Sequence, residues 1–403
     1  MRDGGYRVSF FLAARAIRRG NRWTLALTIL VIALVVVLMN FMTMIVGGVV
    51  QVYNQQMIDY QYSHLTIEPR EKELFITGSD DLIDRLKRVP GVTGVSSRIS
   101  VGTTITNPRN GKFQSKSLTA FDPGDEKTVT RYHQALLEGD FLSPGDTDQI
   151  LIGSLLAGDT DETKDKVPSL GGARVGDLLE VTYSNGVVKA YRVKGIFETD
   201  GVLIDSAAFV TREEMDAVMQ TGGRATEILV RGGDIGDAGQ LKTACMQFGV
   251  QEPIKTWSEK GKGILGDAIG SFNLLTSIMT VVCLIVASVI VFIITFINIV
   301  NRRKQVAVLK AIGVQRRIVI GSYLLQTVFL CAAGAAAGVL MLAGIALGLR
   351  ANPIRFPMGF ISPVPDIGGI VVSVTCLFLV SLVSGYIPAW YVAKEEILIA
   401  MRG

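Results

Sequence analysis

The side chains best placed to do work in this sequence are cationic and clustered: Arg302, Arg303, Lys304, Lys310, Arg316 and Arg317 fill one short stretch between two long apolar runs. Within it Val306, Leu309, Ile312 and Gly313 follow a helical 3/4 spacing, so a short helix there has an apolar edge that must face something other than water. An amphipathic turn of this kind docks, either on a protein or on lipid. Constellations for bond-making chemistry are missing. The sequence has no Gly-x-x-x-x-Gly-Lys-Ser/Thr phosphate loop and no Gly-x-Ser-x-Gly elbow. Its two histidines, His64 and His133, join no cluster with zinc spacing. The pairs Asp80/Asp81 and Glu213/Glu214 fall at helix starts, where the macrodipole accounts for them. The acidic stretch Gly158–Gly172 fits no EF-hand spacing and reads as a solvated loop. No catalytic residue, no metal site and no cofactor bound by this chain is therefore expected.

The elements that must position the cationic stretch are apolar. Trp23–Ile58, Ala268–Asn301, Ile318–Leu349 and Ile367–Ala393 contain no Asp, Glu, Lys or Arg, and each exceeds the roughly 20 residues that span a bilayer at 1.5 Å per residue. Between the first two, the longest uncharged run is ten residues, Ile99–Pro108, too short to cross as a helix. Residues 50–271 hold 24 Lys+Arg against 32 Asp+Glu, and the rest of the chain holds 16 against 4. Arg2, Arg7, Arg15, Arg18, Arg19 and Arg22 precede the first apolar run. The positive-inside rule therefore places residues 1–22 and 301–317 in the cytoplasm. The spacing predicts transmembrane helices at 23–49, 272–300, 318–349 and 367–391. An extracytoplasmic domain follows at 50–271, with a short outer loop at 350–366 and a cytoplasmic tail at 392–403. The first span is too long for a signal-peptide core and is expected to be retained. Residues 8–22 suit a basic amphipathic helix on the inner surface. Gly334/Gly338 and Gly344/Gly348 put small residues four apart in the third span, a helix-packing pattern, and Pro388 should kink or end the fourth. No carboxylate or lysine lies inside a span to relay protons, so either energy for transport comes from a partner or the protein does not pump.

The domain at 50–271 reads as α+β. Leu178–Tyr183 and Val187–Phe197 flank Asn185-Gly186, a hairpin turn signal. Ser79–Val89 is helical up to Pro90, Thr211-x-x-Glu214 is a capping box opening a helix to about Met219, and Leu241–Phe248 is a helix closed by Gly249.

The segment NRRKQVAVLKAIGVQRRIVIGSYLLQ from Asn301 to Gln326 resembles the link between the second and third spans of MacB/LolC/FtsX-type ABC permeases. The entry FFLAARAIRRGNRWTLALTILVIAL and the closing IPAWYVAKEEILIAMRG are similar to that family's ends. His64-LTIEP, Val89-PGVTGVSSRI, Ile150-LIGSLLA, Val175-GDLLEV and Val193-KGIFETDGVLID resemble the order in its lipoprotein-releasing branch. Gln305 and Gln326 depart from the pattern, standing where the family often has acidic residues.

The resemblance implies a membrane α-helical fold of four spans with a large α+β extracytoplasmic domain between the first two, in the inner membrane with both termini cytoplasmic. It implies that Arg303, Lys304, Gln305, Val306, Val308, Leu309, Lys310, Ala311, Ile312 and Gly313 dock into a separate ATPase, present in two copies and carrying the ATP and Mg. It also implies a second permease copy, identical or different, and contacts with membrane lipids. Lipoprotein, lipid or another hydrophobic cargo, or an accessory protein, would be met at the outer face by mechanotransmission, with no role for nucleic acid. The alternative within the family is a signalling subunit that regulates an extracellular hydrolase.

Overall fold

A computed structural model of the chain describes residues 10, 11, 13, 15, 22–161, 163, 165, 167–233, 238–301, 314–356 and 359–394. It divides into a helical unit, residues 1–49, 268–354 and 361–403, and a globular unit, residues 50–267 with 355–360.

Four described helices are long and apolar enough to cross a membrane: α1 (Arg22–Gln56), α7 (Trp257–Asn301), α8 (Arg316–Ala351) and α9 (Ile367–Lys394). In the helical unit they share one core, in which Ile32, Val36 and Met39 of α1 meet Cys283, Ala287 and Val291 of α7, Cys331 and Ala335 of α8, and Leu377 of α9. On α1, Leu27, Leu30, Leu34 and Leu38 recur at 3/4 spacing and are exposed, an apolar stripe suited to lipid. Pro388 lies inside α9, which continues past it.

Two stretches carry structure that the apolar pattern does not show. α7 begins at Trp257, fifteen residues before 272, because Thr256 and Glu259 form a reciprocal capping box: Glu259 N donates to Thr256 Oγ1 at 3.2 Å and Thr256 N donates to Glu259 Oε2 at 2.8 Å. Charges and glycines between 257 and 270 hide that helix from an apolar pattern. The stretch 350–366 contains a paired hairpin, Ile354–Phe356 with Gly359–Ile361.

The globular unit is built on a mixed ten-stranded sheet of described residues. Its strands are β1 (Leu65–Ile67), β2 (Val92–Thr106), β3 (Phe113–Phe121), β4 (Leu136–Gly139), β5 (Gln149–Gly153), β6 (Leu178–Tyr183), β7 (Val188–Phe197), β8 (Ala208–Thr211), β9 (Glu227–Gly232) and β10 (Ile254–Thr256). The order is β10-β1-β9-β2-β3-β8-β5-β7-β4, with β6 bridging β2 and β7. The β6–β7 hairpin turns at Gly186, whose φ is +85°, a conformation open to glycine at no steric cost. Helices α2 (Ser79–Leu86), α3 (Pro123–Val129), α4 (Ser154–Ala157), α5 (Arg212–Met219) and α6 (Ala238–Gln247) accompany the sheet. Two aliphatic cores flank it, one around Ile105, Leu179 and Val210 and one around Leu65, Leu82 and Ile228. A third core is aromatic, joining Tyr53, Met57 and Tyr62 to Phe121, Tyr132, Phe197 and Phe209.

Candidate functional site

The first carboxylate after the uncharged run of α1 is Asp59. It lies in a π-helical turn, Met57–Gln61, and is 4% exposed. Arg231 approaches it at 2.8 Å and Arg131 at 3.3 Å, and Gln55 Nε2 donates to it at 2.5 Å. The same turn is held through its main chain. Arg98 Nη1 donates to Gln61 O at 3.0 Å and Arg98 Nη2 to Tyr60 O at 3.2 Å. Arg231 Nη1 donates to Ile58 O at 3.4 Å, and the Arg131 amide to Asp59 O at 2.8 Å.

Arg98 is in turn paired with Glu126 at 2.5 Å, with both side chains buried. Strand alternation puts Ser96 on the same face of β2 as Arg98, and its hydroxyl donates to Glu126 at 2.7 Å. Thr130 Oγ1 adds a bond to Glu126 at 2.8 Å. Helix α3 presents Glu126 because Asp122 caps it, accepting from Gly124 N and Asp125 N, with Pro123 at its first position. Burial works against the Arg98 charge, but Glu126 and Glu227 beside it more than offset this and hold its pKa above the ordinary value. Burial pushes His64 below the usual histidine range and Arg231 pushes it further, against Asp59. Its Nδ1 accepts from Gly232 N at 3.1 Å, which places the proton of the neutral ring on Nε2.

The start of α7 enters the same network. Lys260 pairs with Glu68 at 2.8 Å and Glu227 at 3.4 Å, and its Nζ lies 4.9 Å over the Tyr62 ring. Burial disfavours its charge, and Glu227 and Glu68 reverse that and raise its pKa. Glu227 also approaches Arg98, at 3.8 Å, so one carboxylate joins the clamp on α1 to the anchor of α7. Behind it, β1 and β10 pair antiparallel, with Leu65 opposite Thr256, and Trp257 N donates to His64 O at 3.1 Å. The arrangement contains no nucleophile–base pair. It is a junction of buried and half-buried ion pairs, and removal of either partner of the buried Arg98–Glu126 pair costs about 3–5 kcal/mol.

Sequence reasoning did not find this junction. Asp59 was signalled by the end of the uncharged run and α7 by Thr256-x-x-Glu259, but the arginines carry no local mark. The residues expected to dock the ATPase, Arg303, Lys304, Gln305, Val306, Val308, Leu309, Lys310, Ala311, Ile312 and Gly313, lie outside the described residues, as do Glu162, Lys164 and Lys166. So does most of the basic segment 1–21, in which Phe10 and Phe11 are described as helical and exposed.

The two glycine pairs of α8, Gly334/Gly338 and Gly344/Gly348, differ in their surroundings. A Cβ at Gly334 would meet Ile32 of α1 at 2.6 Å, and one at Gly338 would meet Ala33 O and the Val36 Cβ, both at 2.8 Å. At Gly344 and Gly348 a Cβ would meet nothing within 4 Å among the described residues of this chain. The two pairs are rotated by about 80° around the helix, so both cannot face α1. Glu214, expected to serve the helix dipole and a capping box with Thr211, is buried, pairs with Lys189 and accepts from Asp148 N at 3.2 Å.

Comparison with known proteins follows the same division. Residues 25–244 match the model of the MacB-like periplasmic core domain, and residues 277–397 match that of the FtsX-like permease C-terminal domain. The macrolide export ATP-binding/permease protein MacB of Agrobacterium fabrum is 28% identical over 42% of this chain and 26% of its own length. MacB of Neisseria meningitidis is 27% identical over 37% of this chain and 22% of its own. The chain thus spans about a quarter of the curated relatives it matches. Among solved structures, the periplasmic region of MacB from Actinobacillus actinomycetemcomitans aligns at a TM-score of 0.35 and 12% identity, over 50% of this chain and 91% of that one. With a core-domain match covering more than half of its length and a permease match over the last spans, the chain belongs to the MacB/LolC/FtsX superfamily of ABC-transporter permeases.

Proposed function

We propose that this chain is the permease subunit of an ATP-driven transporter of the inner membrane, in which ATP hydrolysis on a partner ATPase moves the globular domain through α1 and α7. In this reading the domain lies outside the membrane, both termini lie inside, and the permease works as a dimer with two ATPases. The segment Arg303–Gly313 receives the ATPase, and the chain contributes no ATP site of its own. The observation that carries the reading is the shared carboxylate Glu227, which ties the clamp on the end of α1 to the anchor of α7. Two helices fixed to one sheet, one through the buried Arg98–Glu126 pair and the other through half-buried pairs of Lys260, deliver displacement to it without slack. The cargo is hydrophobic: lipoprotein, lipid, or a small molecule of the kind the relatives named for macrolide export suggest.

The test has two stages. Affinity purification of the tagged chain in mild detergent should recover an ATPase, and Leu309→Asp should lose it; failure to recover any ATPase from the wild type would sink the transporter class. In the recovered complex in nanodiscs, a fluorophore on exposed Leu74→Cys should report an ATP-dependent change, which Glu227→Gln should abolish. A signal that survives Glu227→Gln would rule out this coupling route.

A further inference from the structure

We infer that the helical unit carries a binding cleft for an amphipathic primary amine, in a cavity whose polar wall is rich in hydrogen-bond acceptors and carries one carboxylate among its described residues. The cavity, about 340 Å³, opens among α1, α7, α8 and the start of α9. That volume lies at the small end of the roughly 300–1,000 Å³ typical of small-molecule sites.

Four of the lining hydroxyls, those of Thr276, Ser277, Thr280 and Ser373, are held by hydrogen bonds to main-chain carbonyls; Thr43 also lines the cavity, and Asn40 keeps one Nδ2 hydrogen as a donor. Thr276 Oγ1 and Ser277 Oγ donate to Asn273 O at 2.9 and 2.8 Å, and Thr280 Oγ1 donates to Thr276 O at 2.8 Å. Ser373 Oγ lies 2.9 Å from Ile370 O and 3.0 Å from Asn40 Oδ1. Asn40 Nδ2 donates to Val36 O at 2.8 Å. A hydroxyl with its hydrogen committed presents only lone pairs to its other neighbours. Asp366 is the one charged residue in the lining, and one of its oxygens accepts from Gly368 N at 3.0 Å. The wall therefore asks for a ligand with several donors and a positive charge.

The opposite wall is apolar, with Met39, Leu342 and Ile370 among its residues. A bare metal ion would need oxygen ligands on all sides at short range, which a half-apolar cavity of this size does not give. A primary ammonium offers three N–H donors from one point charge, and an attached hydrocarbon chain covers the apolar wall. Two sources share that chemistry: an aminophospholipid of the surrounding bilayer, and a soluble amphipathic amine.

The inference does not rest on ATP coupling and is tested without an ATPase. The full chain, purified in a non-ionic detergent, is titrated calorimetrically with dodecylamine and with dodecyltrimethylammonium, which keeps the charge and tail but has no N–H. Dodecylamine should bind at least about tenfold more tightly, and Asp366→Asn should reduce its affinity by about tenfold or more. Asparagine caps a helix as well as aspartate, so α9 is preserved; Thr280→Val, which removes one acceptor at constant shape, should weaken binding by a smaller factor.

Dioctanoylphosphatidylethanolamine and dioctanoylphosphatidylcholine then separate the sources. Selective binding of the ethanolamine lipid supports the cleft and assigns it to bilayer lipid. Binding of dodecylamine alone supports it and assigns it to a soluble amine. Equal affinity for dodecylamine and its trimethyl analogue in the wild type overturns the proposal whatever the variants do, and so does dodecylamine binding that a folded Asp366→Asn leaves unchanged.

Discussion

At the base of the globular domain the last turns of the first long helix are held by guanidinium groups and carboxylates, whereas in the helical unit the same helix is held by Gly334, Gly338 and close apolar contact. The difference follows from the solvent each region must tolerate. An ion pair beside a water-exposed domain is satisfied by further hydrogen bonds, as Glu126 is by Ser96 and Thr130. Within lipid a charge is expensive and close approach of backbones serves instead. Ion pairs are directional and fail when one partner is lost. Small-residue contacts have no preferred direction and fail only when the helices are forced apart.

The largest expected effect lies in the charged region. Arg98→Met strands a fully buried Glu126 and removes the bonds to Tyr60 and Gln61, so the domain in the detergent-solubilised full chain should lose about 3–5 kcal/mol. Urea titration followed by pulse proteolysis measures it. Replacing Arg98 by Met and Glu126 by Leu together should recover most of the loss, and single and double variants that unfold together would break the contrast.

Next in size is a pH effect confined to the domain. The Asp205 carboxyl is 2% exposed. Burial raises its pKa from 3.8 to about 6, against bonds donated by Thr199 and with Glu198 and Asp200 adding to the rise. Because the folded domain holds this proton more tightly than the unfolded chain, the contribution of Asp205 to stability is highest below about pH 4. It falls as pH rises to about 6, by an amount of the order of 3 kcal/mol, and is then level. Asp205→Asn should flatten that part of the unfolding profile; a slope that persists in the variant refutes the assignment.

The smallest effect tests the helical unit. Gly338→Leu places side-chain atoms against Ala33 and Val36 and should cost about 1–3 kcal/mol, while Gly344→Leu should be nearly neutral. Thermal unfolding of the two variants decides it, and equal shifts would show that α1 is not held as described.

The helical unit was the more legible region. Each of its spans is a contiguous uncharged run, and lipid imposes that pattern on every residue of a helix. The β6–β7 hairpin and α5 were legible for a similar reason, since Asn185-Gly186 and Thr211-x-x-Glu214 carry their geometry within four residues. The junction is different in kind. Asp59 and Arg231 are 172 positions apart, and Arg98 and Glu126 are 28 apart, so only the folded sheet brings them together. The α8 glycines were half legible: the motif recurs twice, and which copy meets α1 depends on helix phase between neighbours.

Three of the contacts that seize the π turn end on peptide oxygens of Ile58, Tyr60 and Gln61. A clasp of that sort acts as a ruler, measuring where carbonyls stand along the coil and ignoring which residues bear them. Exchanging one side chain for another at 58, 60 or 61 leaves those oxygens in place. Deleting a single residue between Gln56 and Tyr62 turns everything beyond it by roughly 100° and draws it back about 1.5 Å, so every oxygen misses its guanidinium at once. Positions 58, 60 and 61 are therefore freer in composition than Met57 and Asp59, and the segment as a whole is bound in length.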